Sequence, residues 1–348
     1  MERIMDGQAT GRGGTALVLG ATGGIGGEMA RALAARGWTV RGLRRKPAAE
    51  TQAESQADGI GWIVGDAMNA EDVMAAAEGV ALIVHAVNPP GYRHWDRLVL
   101  PMLDNSIAAA RANHARILLP GTVYNYGPDA FPLVDETAAQ HPLTRKGTIR
   151  VEMERRLHRA VGQGAKLLIL RCGDFFGPRP GGSWFSQGLL TPGKPPARLV
   201  QPGRRGIGHQ WAYLPDVAET AMRLLDREAE LGDDALFHMG GHWDADGGGM
   251  IAAIARVLGT ALPVWRMPWW ALRLAAPVVP LFRELNEMRY LWEQPVRLDN
   301  RRLRAFLGEE PHTPLDLAVR RTLAGLGCLP AGPAETPVTG RREPMVKP

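Results

Sequence analysis

The chain has 348 residues, of which 45% are hydrophobic and 22% are charged, and its formal net charge is +5. These proportions are those of a globular protein and exclude a largely disordered chain. Two cysteines and the absence of a run of 18 apolar residues argue against a disulfide scaffold and predict no membrane span.

The excess of positive charge favours an anionic partner. The basic residues are spread along the chain, so we expect a small-molecule substrate and small anionic ligands, and no nucleic acid. No apolar signal-peptide segment opens the sequence, which predicts a cytoplasmic protein. Glycine-rich residues 1–13 and proline-rich residues 329–348 are predicted to be a flexible leader and a flexible tail.

Short apolar runs alternate with helical patterns through the first half of the chain. The runs are nearly unbroken in apolar character, as in strands covered on both faces, and lie at 15–19, 39–43, 61–64, 81–86, 116–119 and 166–170. Helical spacing occupies 28–36, 70–77, 98–113 and 150–161. This rhythm predicts an α/β fold with a Rossmann-type, doubly wound parallel sheet.

The pattern changes after Arg171. The following segments are rich in Gly, Pro and Trp, with one more strand-like run at 236–239 and a helical run at 215–227. We assign two separated stretches, 14–178 and 211–240, to the sheet domain. The stretches 179–210 and 241–328 are assigned to a smaller, mostly helical substrate lobe.

A glycine-rich turn joins the first predicted strand to the first predicted helix. It reads Gly20-Ala-Thr-Gly-Gly-Ile-Gly26. The first glycine allows a tight turn, the second lets the backbone approach a pyrophosphate, and the third permits close packing of helix on strand. We therefore predict that the sheet domain binds a nicotinamide dinucleotide, with contacts from Gly20, Thr22, Gly23, Gly24, Ile25 and Gly26.

The end of the second predicted strand bears on the choice of cofactor. NAD-binding proteins place an acid there for the ribose 2′-hydroxyl, but this chain has Arg41, Arg44, Arg45 and Lys46 and no acid. A guanidinium pairs with a 2′-phosphate, which a carboxylate would repel. Arg44 and Arg45 thus predict that NADP(H) is preferred over NAD(H), the alternative being a solvated basic loop.

Further motifs follow along the chain. They are Gly65-Asp66, His85-Ala86, PGTVYNYG at 120–127, RCGDFFGP at 171–178 and WAYLPDVA at 211–218. Together with the glycine-rich turn they resemble the extended and atypical branches of the short-chain dehydrogenase/reductase superfamily, which includes the NAD-dependent epimerase/dehydratase family. The resemblance covers roughly residues 15–240.

The resemblance implies a role for several positions. Adenine would be contacted by Asp66 and Ala67, the cofactor would be lined by Ala86, Val87 and Asn88, and the nicotinamide side would be bordered by Cys172 and Phe175. Thr122 falls where such enzymes hydrogen-bond the substrate oxygen.

This chain departs from the family at the YxxxK motif, where it has Lys146-Gly-Thr-Ile-Arg150. Arg150 supplies a cation near the cofactor ribose, but the proton donor must differ. Lys146, Tyr124 and Tyr126 are the candidates, and a site without a protein acid is the remaining alternative.

Three other features have structural explanations. The run His238-Met-Gly-Gly-His242-Trp-Asp-Ala-Asp246 resembles a ligand set, but we predict no metal site and expect Asp246 to cap a helix. Cys172 is expected to be a small buried residue. The apolar segment 267–282 is expected to pack in the substrate lobe, with attachment to a lipid surface as the weaker alternative.

The function that follows from these features is an NADP(H)-dependent oxidoreductase acting on a carbonyl or alcohol group of a small to medium organic substrate. An epimerase or dehydratase with transient use of its cofactor, and a non-catalytic NADP(H)-sensing protein, are the alternatives. The sequence leaves open whether the protein forms a homodimer. It also leaves open whether an anionic substrate group is bound by Arg204, Arg205 and His209.

Overall fold

The computed structural model describes residues 13–46, 58–89 and 94–329. The predicted leader and tail lie outside these residues, apart from Gly13 and Leu329. The strands in chain order are β1 (Thr15–Leu19), β2 (Thr39–Arg44), β3 (Ile60–Val64), β4 (Leu82–His85), β5 (Arg116–Gly121), β6 (Leu133–Val134), β7 (Lys166–Arg171), β8 (Asp174–Phe176), β9 (Leu199–Gln201), β10 (His209–Tyr213), β11 (Asp234–His238), β12 (His242–Asp244), β13 (Val264–Arg266) and β14 (Arg297–Leu298).

The α-helices follow the same chain order. They are α1 (Gly24–Ala35), α2 (Ala70–Ala76), α3 (Trp95–Asn113), α4 (Arg145–Val161), α5 (Leu214–Leu225), α6 (Gly249–Leu258), α7 (Trp269–Ala275), α8 (Pro280–Glu287), α9 (Arg301–Leu307) and α10 (Leu315–Gly325). The helix predicted from residue 150 begins at Arg145, because Thr144 caps it by accepting a hydrogen bond from the Gly147 N–H.

Seven parallel strands form the central sheet in the order β11-β7-β5-β4-β1-β2-β3. Each strand predicted from the sequence is present, and the Rossmann-type fold is confirmed. The order reverses between β1 and β4, so the loops that leave these two strands diverge and open a crevice at their carboxyl ends.

Both faces of the sheet are covered, which explains the unbroken apolar strands. Ala16 and Val18 of β1 pack in the cluster formed with α1 and α5, whereas Leu17 and Leu19 pack in the cluster formed with α2, α3 and α4. All four side chains are buried. A parallel strand covered on both sides requires apolar residues at successive positions.

The rest of the chain forms a third cluster around smaller sheets. These sheets are β12-β10-β8, β13-β9 and β14-β6, and helices α6 and α10 pack with them around Phe176, Phe185, Trp211, Trp292 and Tyr213. The prediction of a single strand after Arg171 was incomplete, because strands of two to five residues carry too little periodicity to be seen in sequence. The limits of the two domains stay a prediction.

No helix in the part of the chain that the structure describes is long and apolar enough to cross a membrane.

Candidate functional site

The glycine-rich turn lies at the carboxyl end of β1. Gly20 has a φ of +87°, and a Cβ there would come within 2.6 Å of the Ala86 carbonyl oxygen. A Cβ on Gly26 would lie 2.2 Å from the Gly20 carbonyl oxygen. The first and third glycines are thus required by the protein's own packing, as the sequence predicts.

Gly23 differs from its neighbours in the turn. A Cβ on it would meet only the Gly20 carbonyl oxygen within 4 Å, at 3.2 Å, so the fold itself demands little of this position. A Cβ on Gly24 would be 2.5 Å from the Pro180 carbonyl oxygen, which places the loop around Pro180 over the start of α1. One side of the turn therefore stays open for a close approach by a ligand.

Helix α1 begins inside this turn, directly after Gly23. It has no side-chain cap and no acidic residue in its first turn, which also holds Ile25. The first N–H groups of a helix lack partners within the helix and favour an anion. Thr22 lies exposed just before this helix start. The turn and the helix start together fit the pyrophosphate of a dinucleotide.

The basic end of β2 divides into two kinds of arginine. Arg41 donates to the carbonyl oxygens of Ala76, at 3.1 Å, and Glu78, at 2.6 Å, so it fixes the end of α2. The Arg44 guanidinium lies 4.8 Å from the ring centroid of Trp62, and its buried Nε has no hydrogen-bond partner in the described part of the chain. Arg45 is exposed beside it. Arg44, Arg45 and the exposed Lys46 thus form no salt bridge with a described residue.

The turn after β3 is fixed by short hydrogen bonds. The Asp66 carboxylate accepts from the Met68 N–H at 3.0 Å, and the Asp66 N–H donates to Asp72 at 2.8 Å. Asn105 of α3 donates to the Ala67 carbonyl oxygen at 2.9 Å. The predicted adenine-contacting pair is therefore held in a rigid turn at the carboxyl edge of the sheet.

Arg150 of α4 reaches the loop after β4. It donates to the Asn88 side-chain oxygen at 3.2 Å and lies over the Trp95 ring at 5.1 Å. Ala86 and Val87 are half-buried between this contact and the glycine-rich turn. The structure thus brings the predicted cation and the predicted cofactor-lining loop together.

His85 lies directly beneath that loop at the end of β4. Its Nδ1 is 2.8 Å from the Ser106 hydroxyl oxygen. Burial first, and then the charge of Arg150, lower its pKa from 6.5 to about 3. His85 is therefore neutral near pH 7 and adds no charge to the crevice.

Thr122 follows β5, and its neighbours pack against the start of α4. Its hydroxyl oxygen accepts from the Tyr124 N–H at 3.3 Å, and a Cβ on Gly147 would be 2.3 Å from the Tyr124 carbonyl oxygen. The segment that holds Thr122 and the first turn of α4, with Lys146, are therefore in direct contact. Thr122 is half-buried and Tyr124 is buried.

Tyr126 lies behind this segment in a buried polar network. The His238 Nδ1–H donates to the Val134 carbonyl oxygen at 3.1 Å, so Nε2 accepts hydrogen bonds from Arg171, at 3.1 Å, and from the Tyr126 hydroxyl, at 3.3 Å. Burial raises the pKa of Tyr126 to about 12, against the opposing charge of Arg171. This phenol is thus committed to a structural hydrogen bond.

Arg171 completes that network, which sequence reasoning missed. It donates to the Glu154 carboxylate at 2.8 Å and to the Thr122 carbonyl oxygen at 2.7 Å. Gln140 donates to the same carboxylate at 2.8 Å. The fully buried arginine thereby connects β7, α4 and the segment at Thr122.

Lys146 occupies the family's tyrosine position in a buried ion-pair cluster. Its Nζ lies 2.5 Å from Oε2 of Glu287 and also contacts the Glu284 carboxylate. The Lys146 backbone N–H donates to Oε1 of Glu287 at 2.9 Å. Only 1% of its side chain is exposed. In this conformation, helix α8 covers the lysine.

The two acidic partners on α8 were not found from the sequence. They are three residues apart, which places both on one face of a helix, but no local signal links them to Lys146. Burial raises the pKa of Glu284, and the hydrogen bond and charge of Lys146 outweigh that effect, so the pKa lies below its ordinary value. Glu284 is thus a buried carboxylate that neutralises the lysine.

Cys172 and Phe175 lie beyond β7, and their place beside the nicotinamide stays a prediction. Burial raises the pKa of the Cys172 thiol far above its ordinary value, so this sulfur is no nucleophile near pH 7. Phe175 is half-buried in β8.

His238 ends β11 and His242 begins β12, and the two side chains lie in different surroundings. His238 belongs to the network of Arg171, whereas the His242 ring meets Phe176 at 5.5 Å. No group of three metal-binding side chains occurs among the described residues. Asp246 accepts from the Gly248 N–H, but Asp244 is the main cap of α6, since it accepts from the N–H groups of its first two residues.

His209 is held inside the smaller sheets. Its Nε2 lies 2.8 Å from the Asp174 carboxylate, and its ring stacks on Trp292 with 3.7 Å between centroids. Arg204 is exposed and pairs with Glu293 at 3.5 Å, and Arg205 is exposed. The three residues do not converge as one anion site in this structure.

The chain is similar to known dinucleotide-binding proteins. A family model described as NAD(P)H-binding matches residues 20–173, from the first glycine of the turn to the residue after Cys172. No curated protein sequence matches the chain.

Solved structures share the fold at low identity. UDP-glucose 4-epimerase from Bifidobacterium longum, in complex with NAD⁺ and UDP, is 14% identical, with a TM-score of 0.69 over 90% of this chain and 97% of that one. The enzyme of the same name from Stenotrophomonas maltophila, with bound NAD and formylated UDP-arabinopyranose, is 15% identical, with a TM-score of 0.69 over 90% and 98%. A functionally unknown conserved protein from Silicibacter pomeroyi DSS is 21% identical, with a TM-score of 0.64 over 89% and 98%.

Proposed function

We propose that this chain is an NADP(H)-dependent oxidoreductase. It has the Rossmann fold and an NAD(P)H-binding domain, and both features agree with its resemblance to the extended short-chain dehydrogenase/reductase proteins. Its substrate is a small to medium organic molecule with a carbonyl or alcohol group. The observation that carries the proposal is the crevice between β1 and β4. There, the glycine turn packs on the loop after β4, and Arg150 donates to Asn88 of the same loop. The first turn of α4, with Lys146, packs against the segment at Thr122.

The preference for NADP(H) is supported by the end of β2. Arg44 keeps an unpaired buried Nε, and Arg45 is exposed beside it. A 2′-phosphate would give both guanidinium groups a charged acceptor. No carboxylate in this strand end competes for that position.

Hydride exchange with the substrate carbon is the chemistry that bound NADP(H) supplies. The chain's own residues must then hold the substrate oxygen and move its proton. In this proposal Thr122 orients the oxygen, and Arg150 holds the loop at Asn88, to which it donates a hydrogen bond. Lys146 is the proton donor of this proposal, with Glu287 as the group that returns a proton to it from solvent, because 18% of the Glu287 side chain is exposed.

Helix α8 has to shift for this proton transfer, since Lys146 is almost fully covered. The Glu284 and Glu287 carboxylates hold the lysine until a substrate oxygen replaces one of them. A buried cation that loses one of two acidic partners gains from a new hydrogen-bond acceptor. This requirement links substrate entry to a displacement of α8.

The proposal is tested by binding and turnover. Calorimetry with NADPH and NADH measures the preference, and a panel of aldehydes and ketones with NADPH measures hydride transfer by the loss of NADPH absorbance. Binding of NADPH with turnover of at least one carbonyl class is the expected result. Absence of NADPH binding would refute the site itself.

Two other functions have specific support. The ion pairs of Lys146 favour a non-catalytic NADP(H) sensor, which would bind NADPH without oxidising it with any carbonyl. The two UDP-glucose 4-epimerases of similar fold favour an epimerase or dehydratase. Such an enzyme would retain its cofactor through purification and show no net NADPH consumption. A cytoplasmic location and a homodimer stay predictions.

A further inference from the structure

The segment from β13 to α8 has one packed face and one exposed face. On the packed face, the Trp269 indole N–H donates to the Pro202 carbonyl oxygen at 2.8 Å, and its ring lies 6.2 Å from that of Trp184. The next residue, Trp270, is 71% exposed. The sequence-based expectation that the whole segment packs in the lobe holds for one face only.

On the exposed face, large apolar side chains recur along the chain from β13 to the start of α8. We call it the outer patch, and it consists of Trp265, Trp270, Leu274, Val278 and Leu281. Leu274 is 73% and Val278 is 81% exposed, and Val278 lies in the turn between α7 and α8. Large apolar side chains are rarely left this exposed together unless a partner covers them.

Two arginines close to the outer patch in sequence are exposed and form no salt bridge among the described residues. Residues 247–283 include four arginines and no aspartate or glutamate. Arg256 pairs with Asp316, and Arg283 pairs with Glu284. The other two, Arg266 and Arg273, are exposed and form no salt bridge with a described residue. Arg198 lies over the ring of Trp265 at 4.2 Å. A partner that covers this face must therefore be both apolar and anionic.

A second copy of the chain does not meet that requirement. A two-fold contact through the outer patch would bring Arg266 and Arg273 of both copies together, with no acid between residues 247 and 283 to neutralise them. An anionic lipid bilayer offers acidic headgroups at the level of the arginines and hydrocarbon beneath them. Tryptophan at the boundary, with leucine and valine at the tip, is the composition of helices that lie in such an interface.

We propose that the outer patch docks the protein on an anionic membrane surface, with α7 and the turn at Val278 inserted among the headgroups. Helix α8 follows the turn at Val278, and its residues Glu284 and Glu287 contact Lys146. Docking would thus place the membrane next to the proposed site. The inference needs only the surface geometry and stands apart from the proposed reaction.

The test is sedimentation of the full chain with sucrose-loaded vesicles. One set is phosphatidylcholine alone, and the other is equal parts phosphatidylcholine and phosphatidylglycerol. We expect binding to the second set, and a decline toward the first when the salt concentration reaches about 1 M, where the screening length is about 3 Å.

Matched variants distinguish binding through the outer patch from non-specific adsorption to vesicles. The double variant Leu274→Asn/Val278→Asn should lower partitioning at least about tenfold, since each substitution removes an exposed apolar side chain that docking would bury in the bilayer. The control Leu133→Asn/Leu143→Asn changes two exposed leucines outside the patch and should bind as the unmodified protein does. Arg273→Glu should weaken binding at least about fivefold, and Arg111→Glu on α3 should not.

Three results would overturn the proposal. One is equal sedimentation of the protein with the vesicles that contain phosphatidylglycerol and with those that do not. Another is unchanged binding by the patch variants. The third is a dimer in light scattering that Leu274→Asn/Val278→Asn makes monomeric, without any vesicle binding, which would assign the patch to a second copy. NADPH affinity should stay unchanged in the patch variants, so that failure of this inference is distinct from failure of the proposed function.

Discussion

Lys146 and Glu287 meet twice, although 141 residues separate them in the chain. The carboxylate accepts from the lysine backbone N–H at 2.9 Å and lies 2.5 Å from Nζ. It therefore satisfies an N–H in the first turn of α4 and neutralises the side chain that stands in place of the tyrosine of the YxxxK motif.

Substitution of Lys146 by methionine separates the proposed proton donor from its alternatives. We expect Lys146→Met to lower the single-turnover hydride-transfer rate by about 10²–10⁴-fold, the range of a general acid, with NADPH affinity kept. Tyr124→Phe, in the segment at Thr122, is the matched control and should stay near the parent rate. An unchanged rate and pH profile in Lys146→Met would remove the lysine from the mechanism.

Tyr126→Phe should affect stability and not the rate. Its hydroxyl donates to His238 in the interior, so its removal should lower the free energy of unfolding by about 1 kcal/mol. Urea denaturation followed by circular dichroism measures this loss. A large fall in the hydride-transfer rate, with stability intact, would instead make this phenol the proton donor.

Gly23→Val should abolish NADPH binding and leave the fold intact. The new side chain meets only the Gly20 carbonyl oxygen within the protein, but it occupies the side of the turn that a pyrophosphate must approach. Calorimetry measures the binding. Gly232→Val is the control, since a Cβ there has nothing within 4 Å, and unchanged affinity in Gly23→Val would refute the site.

Replacement of Arg44 and Arg45 should reduce the discrimination between the two cofactors. One charge-assisted contact to the 2′-phosphate is worth about 1.5–3 kcal/mol, or roughly 10- to 150-fold in affinity. Arg44→Met/Arg45→Ala should lower the NADPH-to-NADH affinity ratio by at least this lower bound. Arg111→Ala should leave the ratio as it is, and equal dissociation constants in the unmodified protein would contradict the prediction.

Acidification should destabilise the protein through His238. Burial, with the nearby charge of Arg171, lowers the pKa of this histidine from 6.5 to about 3. The unfolded chain therefore binds a proton below pH 6.5 that the folded chain binds only near pH 3. The contribution of His238 to stability is fully present above pH 6.5 and is lost as the pH falls, by about 1.4 kcal/mol per unit.

The measurement is urea denaturation between pH 4 and pH 7, because a change of about two pH units alters the free energy of unfolding enough to be measured. His238→Gln should unfold more readily at pH 7, because it loses buried hydrogen bonds, and should show a shallower pH dependence. His114→Asn at the end of α3 is the control. An equal slope in His238→Gln and the parent protein would show that this histidine titrates alike in both states.

Local patterns predicted the sheet and the glycine-rich turn, because the strands of the sheet lie between two helical layers and the first and third glycines of the turn have steric causes close by. The surroundings of Lys146 escaped prediction for the opposite reason. Glu284 and Glu287 lie about 140 residues away, and only the packed structure brings them to the lysine. The same holds for Arg171, whose partners Glu154 and His238 come from other elements.

The position of Glu287 near the C-terminal end also decides when the surroundings of Lys146 can form during synthesis. Synthesis delivers residues 20–173 long before α8, and domains generally begin to fold from the N-terminal side. A nascent chain that ends before residue 284 would have Lys146 in α4 without either carboxylate, and before residue 234 it would also lack the edge strand β11. The start of α4 therefore reaches its final state only after the C-terminal segment has left the ribosome, so a truncation that keeps the whole dinucleotide-binding segment still leaves this corner of the protein incomplete.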